Sequence, residues 1–116
     1  MAVKVYNISL DAGADYTKTF LWKDSNGNLN NLTGYTARMK ARPALGSSTT
    51  TLDMTTANGK IVLGGGAGTV QIIISSADST TLTQPVYFYD LEVVSGGSVV
   101  TRLLEGQIHS DPEATK

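Results

Sequence analysis

Histidine beside serine and aspartate is the first combination in this sequence of 116 residues that could carry out acid–base chemistry. The only histidine, His109, is followed directly by Ser110 and Asp111. A Ser-His-Asp triad needs three side chains that converge from separate segments around a pocket, whereas neighbours on a strand point to opposite faces. We therefore interpret His109 as a surface histidine without a catalytic role.

Carboxylates form the second candidate for chemistry. Asp90 and Glu92 share one face of a predicted strand, and Glu105 lies on the following strand. A glycosidase needs two carboxyl groups across a cleft, roughly 5–10 Å apart, so a small hydrolase that uses Asp90 and Glu105 is one hypothesis. Cross-strand ion pairs with basic residues, each worth roughly 0.2–1 kcal/mol, are the interpretation that we favour. We predict that the protein is not an enzyme.

The spacing of potential ligand residues does not indicate a site for a metal, a phosphate or another cofactor. The chain has no cysteine and one histidine, which excludes thiolate sites and leaves too few ligands for zinc. The turn 24–28 begins like a calcium loop, but Tyr35 stands where such a loop carries glutamate. The glycine-rich loop 64–68 precedes a β-rich run, and not the Lys-Ser/Thr and helix of a phosphate loop. We predict no cofactor and no metal.

The charge balance argues against partners that are recognised through a strong electric field. Nine basic and ten acidic side chains give a formal net charge of -1, so we expect neither nucleic acid nor an anionic membrane surface as a partner. Arg38, Lys40 and Arg42 line one face of a predicted strand, but no aromatic residue shares that face to stack on bases. No apolar run approaches about 18 residues and the start does not resemble a signal peptide, so we expect no membrane span.

Apolar and polar residues alternate at every second position over most of the chain, which predicts strands between turns rich in Gly, Asn, Asp and Ser. The run 35–42 is the clearest strand, and one short helical turn is predicted near 76–82. Strands at a spacing of roughly 8–12 residues predict an all-β, antiparallel β-sandwich of seven or eight strands, Ig-like or jelly-roll-like. The length fits a single domain over residues 1–116.

The inward positions of these strands define the predicted core. Trp22 is the largest apolar side chain, and we expect it at the centre. The other predicted core residues are Phe20, Leu32, Tyr35, Met39, Ile72, Tyr89, Leu91 and Leu103. At the N-terminus, the β-rich run 3–10 fits either a first strand or an arm over residues 1–10 that reaches a neighbouring subunit. Residues 111–116 have the composition of a polar tail.

Four parts of the sequence together carry a family resemblance: Ala12–Tyr16 with Leu21–Asp24, Asn31–Met39, Tyr87–Glu92 and Val100–Gly106. They resemble small virion structural proteins of tailed bacteriophages and are similar to the N-terminal β-sandwich domain of siphophage upper baseplate proteins. That domain opens with an acidic residue before a strand, followed by a Trp/Phe-x-Asp turn and a Leu-Thr-Gly corner. The resemblance spans about residues 12–113.

The resemblance implies a protein that joins a tail or baseplate core to peripheral fibres. Its partners would be other phage structural proteins, in multiple copies or as a homo-oligomer, and its place would be the virion after synthesis in the host bacterial cytoplasm. Lys18 departs from the family, in which an apolar inward residue is usual, so either the edge of the first sheet differs from that of the family or the lysine reaches a partner. We group Lys18 with Arg38, Lys40 and Arg42 as the candidate interface.

Two alternative functions stay open beside the adaptor. Small phage sandwiches also decorate capsids, so a capsid decoration protein is one alternative. A carbohydrate-binding module is the other, because β-sandwiches with exposed aromatic residues commonly hold sugars. Tyr6, Tyr16 and Phe88 are its candidate residues, provided that their rings are exposed and coplanar.

Overall fold

Two β-sheets packed face to face make up the protein in a computed structural model, which describes residues 4–24 and 26–111. The predicted fold class, an all-β sandwich, is confirmed. The described residues form nine strands, because the N-terminal run is split into two short ones. The strands are β1 (Lys4–Val5), β2 (Ile8–Asp11), β3 (Tyr16–Leu21), β4 (Thr36–Arg42), β5 (Leu52–Thr55), β6 (Ile61–Leu63), β7 (Thr69–Ile74), β8 (Val86–Val94) and β9 (Val100–Asp111), with a 3-10 turn at Gly65–Ala67.

The larger sheet contains six strands in the order β1-β9-β8-β4-β5, with β2 also pairing with β9. The smaller sheet has the order β3-β7-β6. Neighbouring strands are antiparallel as predicted, except that β1 and β2 run parallel to β9. Strands β6 and β7 form one hairpin, and β8 and β9 form another. The 12-residue β9 lies inside the larger sheet, between β8 and the N-terminal strands.

One short helix, α1 (Ser76–Thr80), lies where the sequence predicts a helical turn. Its buried Ser79 hydroxyl accepts a hydrogen bond from the Gly13 N–H (2.9 Å) and donates one to the Ala14 carbonyl (2.8 Å). Asp15, the acidic residue that precedes β3, accepts from the first backbone N–H of α1 at 2.6 Å. These bonds fix the chain at the point where it enters the smaller sheet.

The core between the sheets is centred on Met39, Ile72 and Leu91, each at most 1% exposed. Met39 and Leu91 come from the central strands β4 and β8, and Ile72 comes from β7 of the facing sheet. Of the predicted core residues, those that are buried are Leu32, Met39, Ile72, Tyr89 and Leu91. Those that are half-buried and pack against the core are Phe20, Trp22, Tyr35 and Leu103.

Trp22 lies at one end of the sandwich and not at its centre, which corrects the prediction. It directly follows β3, where its backbone N–H donates to the Gly68 carbonyl (2.8 Å) and its carbonyl accepts from the Asn30 N–H (2.9 Å). These bonds hold the indole against the Tyr35 ring, edge to face, with 6.0 Å between centroids. A large side chain in this place closes the end of the core, while smaller side chains fill the space between the sheets.

The N-terminal run forms edge strands of the protein's own larger sheet over residues 4–11. Ile8 and Leu10 point into the core and are 0% and 6% exposed. Of the two alternatives for this run, a first strand and an arm, residues 4–11 form strands. Residues 1–3 lie outside the described part of the chain. The predicted polar tail begins with Asp111, the last residue of β9, and continues outside the described residues.

A short break between β1 and β2 brings the backbone of Tyr6 against Gly106 of β9. The Tyr6 carbonyl accepts a hydrogen bond of 2.6 Å from the hydroxyl of Tyr89, a buried residue of β8. A Cβ atom at position 106 would overlap this carbonyl oxygen and lie 3.0 Å from Asn7 Oδ1. The lack of a side chain at Gly106 therefore permits both the close backbone contact and the hydrogen bond beneath it.

Candidate functional site

A ladder of ion pairs crosses the outer face of the larger sheet. Arg38 of β4 lies 2.9 Å (Nε to Oε1) from Glu92 of β8. Arg102 Nε of β9 lies 3.7 Å from Asp90 Oδ2 and 3.9 Å from Glu92 Oε2. Cross-strand ion pairing, the interpretation that the sequence favours for these carboxylates, is confirmed for Asp90 and Glu92. Asp90 also lies opposite Glu105 in the register of β8 and β9, so the hydrolase hypothesis, which pairs these two carboxylates, stays an alternative.

The basic residues of β4, predicted as part of an interface, have three different environments. Arg38 belongs to the ion-pair ladder. Arg42 donates from Nη1 to the carbonyls of Ser47 (3.0 Å) and Thr49 (3.3 Å), and thereby holds the loop between β4 and β5. Lys40 is exposed, and no carboxylate of the described residues lies within 4.0 Å of its ammonium group. The Lys40 ammonium group is thus exposed to solvent.

Lys18 points inward from β3, an edge strand of the smaller sheet. Its Nζ atom lies 5.6 Å from the centroid of the Tyr6 ring and 5.9 Å from that of the Phe20 ring. The side chain lies between these two rings, and contact of Lys18 with a partner stays a prediction. An inward-pointing charge on an edge strand opposes the addition of another strand, and the two rings stabilise the ammonium group.

The three aromatic residues considered for a sugar platform lie on different surfaces. Tyr6 packs edge to face on Phe20, with 5.1 Å between ring centroids, and is half-buried between the sheets. Tyr16 neighbours Tyr6 on the inner side of β3. Phe88 lies instead on the outer face of the larger sheet, half-buried and beside Arg42 in the strand register. The coplanar platform of three rings is therefore not formed.

Tyr16 gives the stability of the protein a pH dependence in the alkaline range. Partial burial raises the pKa of its hydroxyl from 10.0 to about 12, and the neighbouring Tyr6 adds to the shift. Burial likewise raises the pKa of Tyr89. The folded protein keeps these protons at a pH where the unfolded chain loses them. The free energy of unfolding is therefore expected to be unaffected below about pH 10 and to fall between about pH 10 and 12.

Denaturant unfolding at a series of pH values from about 8 to 12 measures this decline. Tyr16→Phe is expected to make the decline shallower, because the variant has no proton to lose at this position. Tyr89 accounts for the part of the decline that persists in the variant. An equally steep decline in the variant and in the parent protein would contradict the role assigned to Tyr16.

An open hollow of about 300 Å³ lies on the outer face of the larger sheet, near the end of β4. Phe88 forms part of its floor, and the exposed Leu45 of the loop between β4 and β5 forms part of one wall. The polar lining carries both signs of charge, from Lys40, Arg42, Arg102, Asp90 and Glu105. The sequence indicates these residues singly but not the hollow, because the wall depends on the bonds that Arg42 makes to its own loop.

The outer face of the smaller sheet differs sharply in composition from that of the larger one. Its outward strand positions carry no charge, and we call them the neutral face: Thr17, Thr19, Leu21, Val62, Thr69, Gln71 and Ile73. Leu21 and Val62 are 58% and 46% exposed. Lys60 flanks this face and is paired with Asp78 at 2.8 Å. Sequence reasoning missed the neutral face, although the alternation in β3 already places its threonines outward.

The remaining candidates for chemistry are not brought together. His109 is exposed on β9, whereas the neighbouring Ser110 is buried and donates its hydroxyl hydrogen to the Leu82 carbonyl (3.0 Å). Within residues 4–24 and 26–111, no group of three or more histidine or acidic side chains is placed to hold a metal ion. In the same part of the chain, no helix has the length and apolar character needed to cross a membrane.

The fold and its surfaces define an all-β sandwich with one charged outer face, one neutral outer face and a hollow of mixed charge. Comparisons with protein-family models and with curated proteins found no match. The resemblance to phage tail proteins therefore rests on the short segments quoted above. Several of them form parts of β4, β8 and β9, which are neighbours in the larger sheet.

Proposed function

We propose that this protein is a non-enzymatic virion structural protein of a tailed bacteriophage. It acts as an adaptor in the tail, in the baseplate or at the attachment of fibres, through contacts with other structural proteins or with further copies of itself. The resemblance of the quoted segments supports the phage origin. The neutral face is the single observation that supports a role in protein–protein contact.

The neutral face shares its lack of charge with the centre of a protein–protein interface. Charged residues are depleted there, because a charge that leaves water without a partner is costly. The outer face of the larger sheet carries charges on each of its strands β4, β8 and β9, whereas the outward strand positions of the smaller sheet carry none. Leu21, Val62 and Ile73 add aliphatic surface, and the threonines and Gln71 can exchange hydrogen bonds with a partner.

The neutral face is too small to hold two proteins together by one contact. Two six-residue strands about 20 Å long and the three-residue β6, spaced about 4.8 Å apart, outline roughly 250 Å². A typical stable interface buries roughly 800 Å² on each partner. Repetition compensates for this in a symmetric assembly, where many weak copies of one contact act together. A small adaptor that is present in many copies suits a surface of this size.

A capsid decoration protein would also bind through many weak copies of one contact. The position of the protein in the particle therefore decides between the adaptor and the decoration protein. Particles purified from cells that produce the phage can be separated into capsid and tail fractions and probed with an antibody against the protein. Recovery with tails is the expected result, and recovery with capsids would favour decoration. Absence of the protein from purified particles would contradict both functions.

Val62→Lys places a charge on the neutral face and is expected to reduce recovery of the protein with particles by about tenfold or more. The fold should tolerate the change, because Val62 is 46% exposed and points away from the core. Thr36→Lys is the matched control, since it adds the same charge at an exposed position at the start of β4. Immunoblotting of purified particles measures recovery, and thermal unfolding confirms that both variants fold. Equal recovery of the two variants would contradict the role of the neutral face.

A further inference from the structure

We propose that the hollow around Phe88 is a binding site for one ring of a neutral saccharide. The site lies on the opposite sheet from the neutral face, and the proposal does not depend on the function proposed above. Three properties of the hollow carry it: an aromatic residue in the floor, a wall held in place by Arg42, and lining charges of both signs.

The hollow has the volume of a small-molecule site, and one of its walls is held in place by hydrogen bonds. A volume of about 300 Å³ lies at the lower end of the range for ligand pockets and accommodates a single sugar ring. One wall comes from the loop between β4 and β5, which Arg42 fixes through the carbonyls of Ser47 and Thr49. A wall that is already ordered loses less conformational entropy when a ligand binds.

The lining charges select against ligands that carry one sign of charge. Asp90 and Glu105 repel an anion, and Lys40, Arg42 and Arg102 repel a cation. Within the described part of the chain, neither Lys40 nor Glu105 has an oppositely charged group within 4.0 Å. A sugar hydroxyl both donates and accepts hydrogen bonds, so neighbouring hydroxyls of one neutral ring can satisfy an ammonium group and a carboxylate together.

Phe88 supplies the contact that distinguishes a sugar from other neutral polar molecules. The C–H groups of a pyranose pack on the negative face of an aromatic ring, while its hydroxyls point outward from the rim. Phe88 is half-buried beside the charged residues that line the hollow, and Leu45 at the edge of the hollow is 79% exposed. The hollow therefore combines apolar surface with polar groups around it, which matches the two kinds of surface on a pyranose.

Amide NMR titrations of the full chain test the proposal. The probes are glucose, galactose, mannose and N-acetylglucosamine, with the uronic acids and amino sugars of the same series as charged comparators and an uncharged extended peptide. We expect saturable shifts at Lys40, Leu45 and Phe88 with at least one neutral sugar. Its charged counterparts are expected to bind about tenfold more weakly.

Three variants distinguish specific sugar binding in the hollow from non-specific contact with the protein surface. Phe88→Leu keeps apolar volume but removes the flat ring, and is expected to weaken binding by about tenfold. Lys40→Met removes a lining donor and should also weaken binding, whereas Arg38→Met, on the same strand and face but outside the hollow, should not. Thermal unfolding of each variant verifies that the fold is intact.

Several outcomes would overturn the proposal. They are the lack of saturable shifts with every neutral sugar, tighter binding of the peptide than of any sugar, and equal sugar binding by the parent protein and Phe88→Leu. Shifts that map to the neutral face and not to the hollow would overturn it as well.

Discussion

Gly106→Ala is expected to lower the free energy of unfolding by about 3 kcal/mol, a large fraction of the roughly 5–15 kcal/mol that keeps a domain folded. The added Cβ would overlap the carbonyl oxygen of Tyr6, so β1 and β2 must move away from β9. That movement also breaks the 2.6 Å hydrogen bond that the Tyr89 hydroxyl donates to the same carbonyl. A hydroxyl and a carbonyl are then left without partners, which costs roughly 1–3 kcal/mol.

Urea denaturation followed by circular dichroism measures this change in stability. Gly97→Ala is the control, because in the β8–β9 turn the nearest atom to a new Cβ is Ser95 Oγ at 3.8 Å. It is expected to alter stability by less than about 1 kcal/mol. Tyr89→Phe removes the hydrogen bond without adding a Cβ and should cost roughly 1–2 kcal/mol. If Gly106→Ala and Gly97→Ala unfold at the same urea concentration, the close approach of Tyr6 does not constrain the fold.

Alternation in the sequence predicts the faces of the larger sheet because its central strands have one wet face and one buried face. In β4, Ala37, Met39 and Ala41 are buried, whereas Arg38 and Lys40 are exposed. The side-chain period of a strand is two, so a shift by one residue would turn every apolar side chain of β4 toward water. Such a strand has one acceptable orientation, and the sequence alone reveals it.

The pairing of strands that are far apart in the sequence is the part of the fold that local sequence patterns do not predict. Ile8 pairs in parallel with Ile108, near the other end of the chain. The run 3–10 has the composition of a strand, but no tight turn connects it to β9 and fixes the register. The expectation for Trp22 fails for a related reason. Its size indicates burial, but not that the sandwich ends where β3 ends.

The candidate interface illustrates why charge alone is a poor guide to contact surfaces. Arg38 and Arg42 are conspicuous cations in the sequence, yet Glu92 and the loop carbonyls already engage them within the protein. The neutral face becomes visible only when the outward positions of β3, β6 and β7 are known to adjoin. A single short strand with uncharged outward positions is common on solvent-exposed sheets and does not by itself indicate an interface. The uncharged surface is a property of three strands that the sequence does not place side by side.

Deletion of residues 1–10 is expected to abolish the cooperative unfolding transition of the protein. The deletion removes Ile8 and Leu10 from the core, and the burial of each is worth roughly 1.5–3 kcal/mol. It also uncovers the edge of β9 and takes away the Tyr6 carbonyl that pairs with the Tyr89 hydroxyl. The combined loss approaches the whole stability of a small domain. An arm that only reached a neighbouring subunit could be removed without this loss.

Thermal unfolding followed by circular dichroism compares the truncated and full-length chains, and two point variants locate the cause. Ile8→Asp places a carboxylate in the core and is expected to unfold the protein. Ser9→Asp places the same group on the solvent side of β2 and should leave the midpoint unchanged. A synthetic peptide of residues 1–11 is expected to restore cooperative unfolding to the truncated chain, because it can form β1 and β2 again along β9. A truncated chain that melts cooperatively at the full-length midpoint would show that these strands contribute nothing to the folding unit.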